Sequence, residues 1–380
     1  MYIWVTNKLV NHKSVAKMKP YIPDSLPLKN IEWAKLVDLM GKANRYIARY
    51  DGLLQSVINP DVLLAPLRTQ EAVHSSKIEG TQASLKDVLQ FEGEQEVEDF
   101  KKNDIYEVIN YRIALNEGRE QMQNMPLTLN LIRKMHGILL RDVRGSSADP
   151  GNFRRIQNFI GTPGSTIDNA RFVPPTVPDM KIALDNWEKY MHHEELDVNV
   201  QLAIVHAQFE IIHPFLDGNG RMGRILIPLF LYHKKIIHEP VFYLSDYLEN
   251  HRTEYYDALK NITDSGSWTY WIQFFLQAII VQAEKNIHKT RAIINLYEEV
   301  KKEIIDSTRS QYAIHCLDTI FIQPIFSTNY FSKHSGIPKS SATRLLDILV
   351  KESVLDIAEP GSGRRPTIYV FKKLLTIVNE

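Results

Sequence analysis

The chain has one cysteine, no net charge and no long apolar run, and each shortage removes a class of protein. A single thiol, Cys316, excludes an internal disulfide and fits a reducing compartment. It sits in QYAIHCLDTI, where apolar neighbours suit an inert buried thiol better than a nucleophile. Lys and Arg number 45 and Asp and Glu 45, so the chain as a whole has no bias toward nucleic acid or membrane. Any such partner must use a local patch. No stretch approaches the ~18 uninterrupted apolar residues of a membrane span. Thr6, Asn7 and Lys8 break the N-terminal segment too early for a signal peptide. The expected location is the cytoplasm, with no membrane partner. The G-x-x-x-x-G-K-[ST] phosphate loop, a Gly-rich fingerprint after a strand and an H-E-x-x-H helix are also missing.

What remains is ordinary globular composition over 380 residues, 44% hydrophobic and 24% charged, enough for two or three domains. Apolar spacings of three and four predict helices over 30–60, 67–90, 104–123, 178–193, 197–212, 250–262 and 268–300. MPLTLNLIRKMHGILL adds a Pro/Thr helix start, and ILIPLFLYH reads as a buried helix containing Pro228. Residues 145–178 are rich in Gly, Pro, Asn and Asp, which predicts loop and hairpin, with Ile156–Ile160 and Arg171–Val173 as paired strands. Past residue 308 the elements shorten. Two helices, Thr328–Ser335 and Ser340–Glu352, precede two strands around a Gly/Pro/Arg turn, the succession of a winged helix-turn-helix. The expected fold is mainly α with a small β-hairpin, divided into segments 1–110, 111–300 and 301–380.

The densest chemistry lies in HPFLDGNGRMGR, His213 to Arg224. Gly218-Asn219-Gly220 can bend without a Cβ penalty at either glycine, and a helix start behind that turn aims several N–H groups at one anion. Arg221 and Arg224 are three apart and share a helix face, and an arginine fork suits phosphate oxygens. Asp217 offers the hard oxygen that Mg²⁺ prefers. His213 is the nearby group whose proton affinity suits a base near neutral pH. Singly, each residue reads as a turn or a solvated face. Together they describe a polyphosphate site with a base beside it, hence phosphoryl or nucleotidyl transfer.

HPFLDGNGRMGR resembles the signature of the Fic family, H-P-F-x-[DE]-G-N-G-R-x-x-R, at every fixed position. GNFRRIQNFIG…RFVPP is similar to that family's flap hairpin and EYYDAL to its adenine-side helix, so the resemblance runs over roughly 20–290. It implies a helical core that transfers AMP from ATP to a Ser, Thr or Tyr hydroxyl of a target protein. His213 would be the general base and Asp217 the Mg²⁺ ligand. Gly218, Asn219 and Gly220 would bind phosphate oxygens, with Met222 and Gly223 alongside. Arg221 would steady the transition state and Arg224 hold the γ-phosphate. Tyr255 and Tyr256 would flank adenine, a contact that a polar residue about seven places further on often joins; here it is Thr263. Ile160, Gly161, Thr162 and Pro163 would form the flap edge to which a target adds as a strand. A kinase-like branch carries Lys at the second glycine, and Gly220 favours AMP transfer.

HSSKIEGTQAS places Ser75 and Glu79 four apart on one helix face, with Gly80 positioned to end the helix. Alone this is an exposed glutamate. Beside the other motif it resembles the family's inhibitory sequence [S/T]-x-x-x-E-[G/N], which implies that Glu79 pairs with Arg224 in place of the γ-phosphate. In some relatives the same glutamate helps to remove AMP. Residues 306–380 hold 9 Lys/Arg against 7 Asp/Glu, a net of +2, a weak footprint for DNA. The alternative reading is a nucleotide-sensing transcriptional regulator binding DNA through 301–380. A phosphotransferase with another donor is a third, and the helical N-terminal segment would suit a homodimer.

Overall fold

Sixteen α-helices dominate the computed structural model, which describes residues 3–4, 19–161 and 164–379. Helix ends follow local chemistry. Thr128, Thr176 and Asp197 accept from the N–H groups of Leu131, Asp179 and Val200 and so cap the helices Leu129–Leu139, Val177–Met191 and Val198–Ile212. The run expected over 67–90 is two helices, Ala65–Ile78 and Leu85–Glu92. Gly80 breaks it with a φ of 99°, and Ser84 restarts it through a capping box with Asp87. The run over 30–60 divides likewise, into Val37–Leu54 and Pro60–Leu63.

The chain forms two compact units, both discontinuous in sequence: residues 1–48, 74–81 and 110–283, and residues 49–73, 82–109 and 284–380. The first is built around Val198–Ile212, a helix buried on nearly every side. Two indoles donate to its backbone carbonyls, Trp187 to Val205 and Trp271 to Ala203, both at 2.8 Å. Asn219–His233 packs against it and continues through Pro228. The helices Ser245–Asn250 and Arg252–Ser265 follow; the short one has no periodicity to announce it.

The hairpin is smaller than its sequence suggests. Ile160 bridges Phe172, and the strand β2 is only Ile160–Gly161, paired on its other edge with β1, Ile3–Trp4. Ile156–Phe159 is not strand because Asn158 and Phe159 both turn inward, which breaks the alternation of a strand. Phe159 packs with Ala170 and Val173. Thr162 and Pro163 lie outside the described residues.

In the second unit, helices Thr328–His334 and Lys339–Lys351 meet at a turn through Gly336, with φ of 67°. A three-stranded antiparallel sheet accompanies them: β3 (Ile325–Ser327), β4 (Asp356–Glu359) and β5 (Ile368–Val370), in the order β3-β5-β4. β3 and the helix Lys372–Asn379 were not evident from the sequence. β3 extends its pairing to Gly93, whose carbonyl accepts from Ser327 at 3.0 Å. Gly93 tolerates no side chain there, since a Cβ would collide with the Ile325 carbonyl. Phe326 lies between Phe331 and Tyr369, with ring centroids at 5.5 and 5.6 Å. Cys316 is buried, as expected, and burial pushes its thiol up to about 12.

Trp187 is fully buried and braces the central helix. Trp187→Ala should lower unfolding free energy by about 3–5 kcal/mol, read as a lower urea midpoint.

Candidate active site

The site begins where the helix Val198–Ile212 ends. His213 caps it in the left-handed region, with φ of 50° and ψ of 61°. A buried arginine holds that unusual turn. Arg154 Nε donates to the His213 carbonyl at 3.0 Å, Nη2 to the Pro175 carbonyl at 2.6 Å, and its backbone N–H to Pro214 at 2.8 Å. Burial lowers the Arg154 guanidinium to about 10, since no carboxylate offsets its desolvation. The His213 ring donates from Nδ1 to the Glu210 carbonyl at 3.0 Å, which puts the basic lone pair on Nε2. Burial keeps the ring neutral, with its pKa lowered to about 3, opposed by the Glu210 carbonyl and aided by Arg154.

The loop after His213 is fixed through the backbone of Phe215. Asn219 accepts from Phe215 N–H and donates to its carbonyl, both at 2.9 Å, and Asn158 donates to the same carbonyl at 3.0 Å. The Asn219 side chain is therefore committed to the loop, and only its backbone faces an incoming anion. His136 stacks on the Phe215 ring at 3.7 Å. Its Nε2 donates to the Asp217 carbonyl and its Nδ1 accepts from Gly151 N–H, both at 2.9 Å. Gly218 needs its φ of 77° to turn the chain into the helix Asn219–His233. Gly220 has ordinary helical angles; it is small because a Cβ would collide with Glu79 Oε1.

Arg221 lies buried with Nη2 3.7 Å from Asp217 Oδ1. The Asp217 carboxylate accepts from Gly218 N–H at 2.6 Å and is one-quarter exposed. Among the described residues no three His, Cys, Asp or Glu side chains cluster as a metal site. Asp217 as the lone carboxylate fits Mg²⁺, which takes phosphates and waters for its remaining positions.

Arg224, one turn on and 1% exposed, has two nitrogens engaged. Nε donates to Ser75 Oγ at 2.8 Å, and Nη2 donates to the Ser75 carbonyl at 2.8 Å and to Glu79 Oε1 at 2.7 Å. The helix Ala65–Ile78 stops one residue short of Glu79, so the glutamate leaves from a turn rather than a helix face. Burial works to raise the Glu79 carboxyl, but the charge and hydrogen bond of Arg224 prevail and hold it low. The same helix is anchored again by Glu249, which pairs with His74 and Lys77, each at 2.6 Å.

Glu79, Ile160, His213, Gly220, Arg224, Tyr255, Tyr256 and Thr263 line one cleft of about 110 Å³. Arg171 and Phe172 close it from the hairpin side. Met222 and Gly223 do not line it: Met222 is core, and a Cβ at Gly223 would collide with Glu210 Oε1. The Thr263 hydroxyl donates to the Lys260 carbonyl at 2.9 Å, so it is already used within its helix. Tyr255 donates to His206 Nε2 at 2.9 Å, and His206 Nδ1 reaches the Gly223 carbonyl at 3.2 Å. Arg154, His136, Asn158, His206 and Glu210 escaped the sequence reading. Their common signal is a polar residue inside an apolar stretch or next to the hairpin glycines.

Residues 37–120 match the Fic/DOC family N-terminal region and residues 126–231 the Fic/DOC family itself. The chain belongs to the Fic/DOC family. A protein adenylyltransferase Fic of Drosophila grimshawi is 27% identical over 213 residues, 54% of this chain and 40% of that protein. A probable protein adenylyltransferase of Aquifex aeolicus is 43% identical over 68 residues, 17% of this chain and 21% of that protein. The chain thus matches less than half the length of these curated relatives. Among solved structures, a Fic family protein from Desulfovibrio desulfuricans G20 shares the fold, with a TM-score of 0.57 at 19% identity, covering 93% of this chain and 98% of its own. Fic-1 from C. elegans has a TM-score of 0.51 at 19% identity, covering 67% of this chain and 74% of that one.

Two predictions follow from the buried cations and imidazoles. Arg154→Met should leave carbonyls unpartnered at the His213 turn and lower stability by about 1–3 kcal/mol, measured by urea unfolding. His136, His206 and His213 are lowered to about 4, 3 and 3, in each case chiefly by burial. Below pH about 6.5 the unfolded chain binds protons that these folded rings refuse. Stability should therefore fall as pH drops from 6.5 toward 4, by up to about 1.4 kcal/mol per pH unit for each histidine. Glu210, raised to about 8, opposes this with one proton, fewer than the three histidines take up. A urea midpoint that does not fall between pH 7 and 5 would contradict the assignment.

Proposed function

We propose that this chain is a protein adenylyltransferase that moves AMP from ATP to a Ser, Thr or Tyr hydroxyl of a target protein or of itself. The observation that supports it best is the convergence of neutral His213, Gly220 of the helix start and Arg224 in one cleft with Tyr255 and Tyr256. His213 Nε2 takes the hydroxyl proton as the oxygen attacks the α-phosphorus; the bond to the β-phosphate breaks and pyrophosphate leaves. Burial keeps His213 ready to accept, and the negative charge of bound triphosphate raises its proton affinity for the step. The N–H groups at the start of Asn219–His233 receive phosphate oxygens, and Arg221 and Arg224 match the remaining charge. Asp217 is the residue that would hold Mg²⁺, which when bound neutralises the phosphates. Tyr255 and Tyr256 flank the base, and a target backbone would take the edge of Ile160–Gly161 that Ile3–Trp4 occupies in this structure.

The same reading makes Glu79 a brake. Its carboxylate occupies the Arg224 fork that the γ-phosphate needs, at 2.7 Å. Glu79→Gly should raise ATP-dependent self-modification roughly tenfold to a hundredfold, the worth of a charged hydrogen bond of about 1.5–3 kcal/mol. Intact-mass spectrometry reads this as a gain of AMP, and His213→Ala in the same background should abolish it. Equal modification with and without Glu79 removes the brake.

The rival reading, a nucleotide-sensing regulator, draws on exposed Ser340, Thr343, Arg344, Arg364 and Arg365 in the second unit. A salt-dependent shift of duplex DNA, with no AMP incorporation by the Glu79→Gly protein, would select it instead.

A further inference from the structure

One acid in the cleft has no part in the reaction just described. Glu210 lies one turn before His213 on the helix Val198–Ile212 and lines the same cleft. Its Oε1 is sealed from solvent without a hydrogen-bond partner, against the Cα of Gly223. The residue as a whole is only partly buried, and it lines the cleft. The charged and titratable groups facing it are Arg224 from Asn219–His233, Glu79 beyond Ala65–Ile78, and Tyr255 and Tyr256 from Arg252–Ser265. Arg171 and Lys260 line the cleft further out, and His213 follows on its own helix. Among the described residues none of these donates a hydrogen bond to the carboxyl.

Such a carboxyl is poorly suited to a charge. Burial raises it to about 8; Arg224 opposes the shift, while the negative charge of Glu79 adds to it. In the neutral form it carries an O–H that must find an acceptor. None of the described residues is hydrogen-bonded to this carboxyl, and an acceptor arriving with a ligand beside the Arg224 fork is an anionic phosphate oxygen. An ionised carboxylate there would repel the same oxygen.

We propose that Glu210 is a nucleotide-binding residue that works protonated, donating its O–H to a phosphate oxygen of the nucleotide held by Arg224. This rests on the polyphosphate reading of the cleft. It also gives Gly223 a reason: any larger residue would push the Glu210 carboxyl out of place. The sign of the pH effect follows. The nucleotide binds the protonated acid, so affinity is full below the Glu210 pKa and declines as pH rises through it.

The test is calorimetric titration of an α,β-methylene ATP analogue, which cannot be turned over, with Mg²⁺, into the Glu79→Gly protein with Glu, Gln or Ala at position 210. Glutamate should lose affinity as pH rises toward about 9, by up to about tenfold per pH unit once the carboxyl ionises. Glu210→Gln, a neutral donor of the same shape, should bind as tightly at pH 7 and keep that affinity to pH 9. Glu210→Ala should bind about tenfold more weakly throughout. If the Gln protein shows the same pH slope as glutamate, or binds as poorly as Ala at pH 7, the proposal falls. Normal binding of the analogue, with no AMP transferred from ATP by the same Glu79→Gly protein, would instead overturn the adenylyltransferase reading and leave Glu210 in its role.

Discussion

A guanidinium buried beside a cleft is strongly stabilised by an anion, and removing that partner leaves an uncompensated charge away from water. Arg224 imposes that demand, and much of the surrounding sequence answers it. Ser75 and Glu79 take two of its nitrogens. Gly80 stops the upstream helix so that Glu79 can turn toward it. Gly220 clears the space that the Glu79 carboxylate occupies. Glu249 then fixes His74 and Lys77 of the same helix, so the anion is delivered from a tethered segment. Under the proposed function a γ-phosphate competes for the same demand, which is why one contact can serve both rest and catalysis.

Around that charge, backbone groups do most of the positioning. The Phe215 carbonyl receives both Asn158 and Asn219, the Asp217 carbonyl receives His136, and the His213 and Pro175 carbonyls receive Arg154. A loop that must present N–H groups to an anion cannot be shaped by a regular ladder, so side chains from other elements satisfy its carbonyls instead. Buried imidazoles suit this work because they are donor on one nitrogen and acceptor on the other while neutral. Two carboxyls then share the neighbourhood of Arg224 with opposite characters. Glu79 is held low by the charge and hydrogen bond of the guanidinium, and Glu210 is raised by burial with no such bond to offset it.

The sequence by itself determined the helical class, the Gly218 turn with its flanking His213 and arginines, and the spacing of Ser75 and Glu79. Each is encoded within a few residues, through periodicity, backbone freedom at glycine or a local motif. The resemblance extended that local reading by joining Glu79 to Arg224, a pair that no spacing rule connects. The hairpin was overestimated because Ile156–Phe159 has strand-like composition, whereas the inward turn of Asn158 and Phe159 depends on a carbonyl and apolar partners elsewhere. Arg154, His136 and His206 were illegible for the same reason: their partners lie 15 to 81 residues away. Only the folded chain decides whether a buried polar side chain finds a bond, as Asn219 does, or is left without one, as Glu210 is. That distinction sets which groups hold the structure and which are open to a ligand.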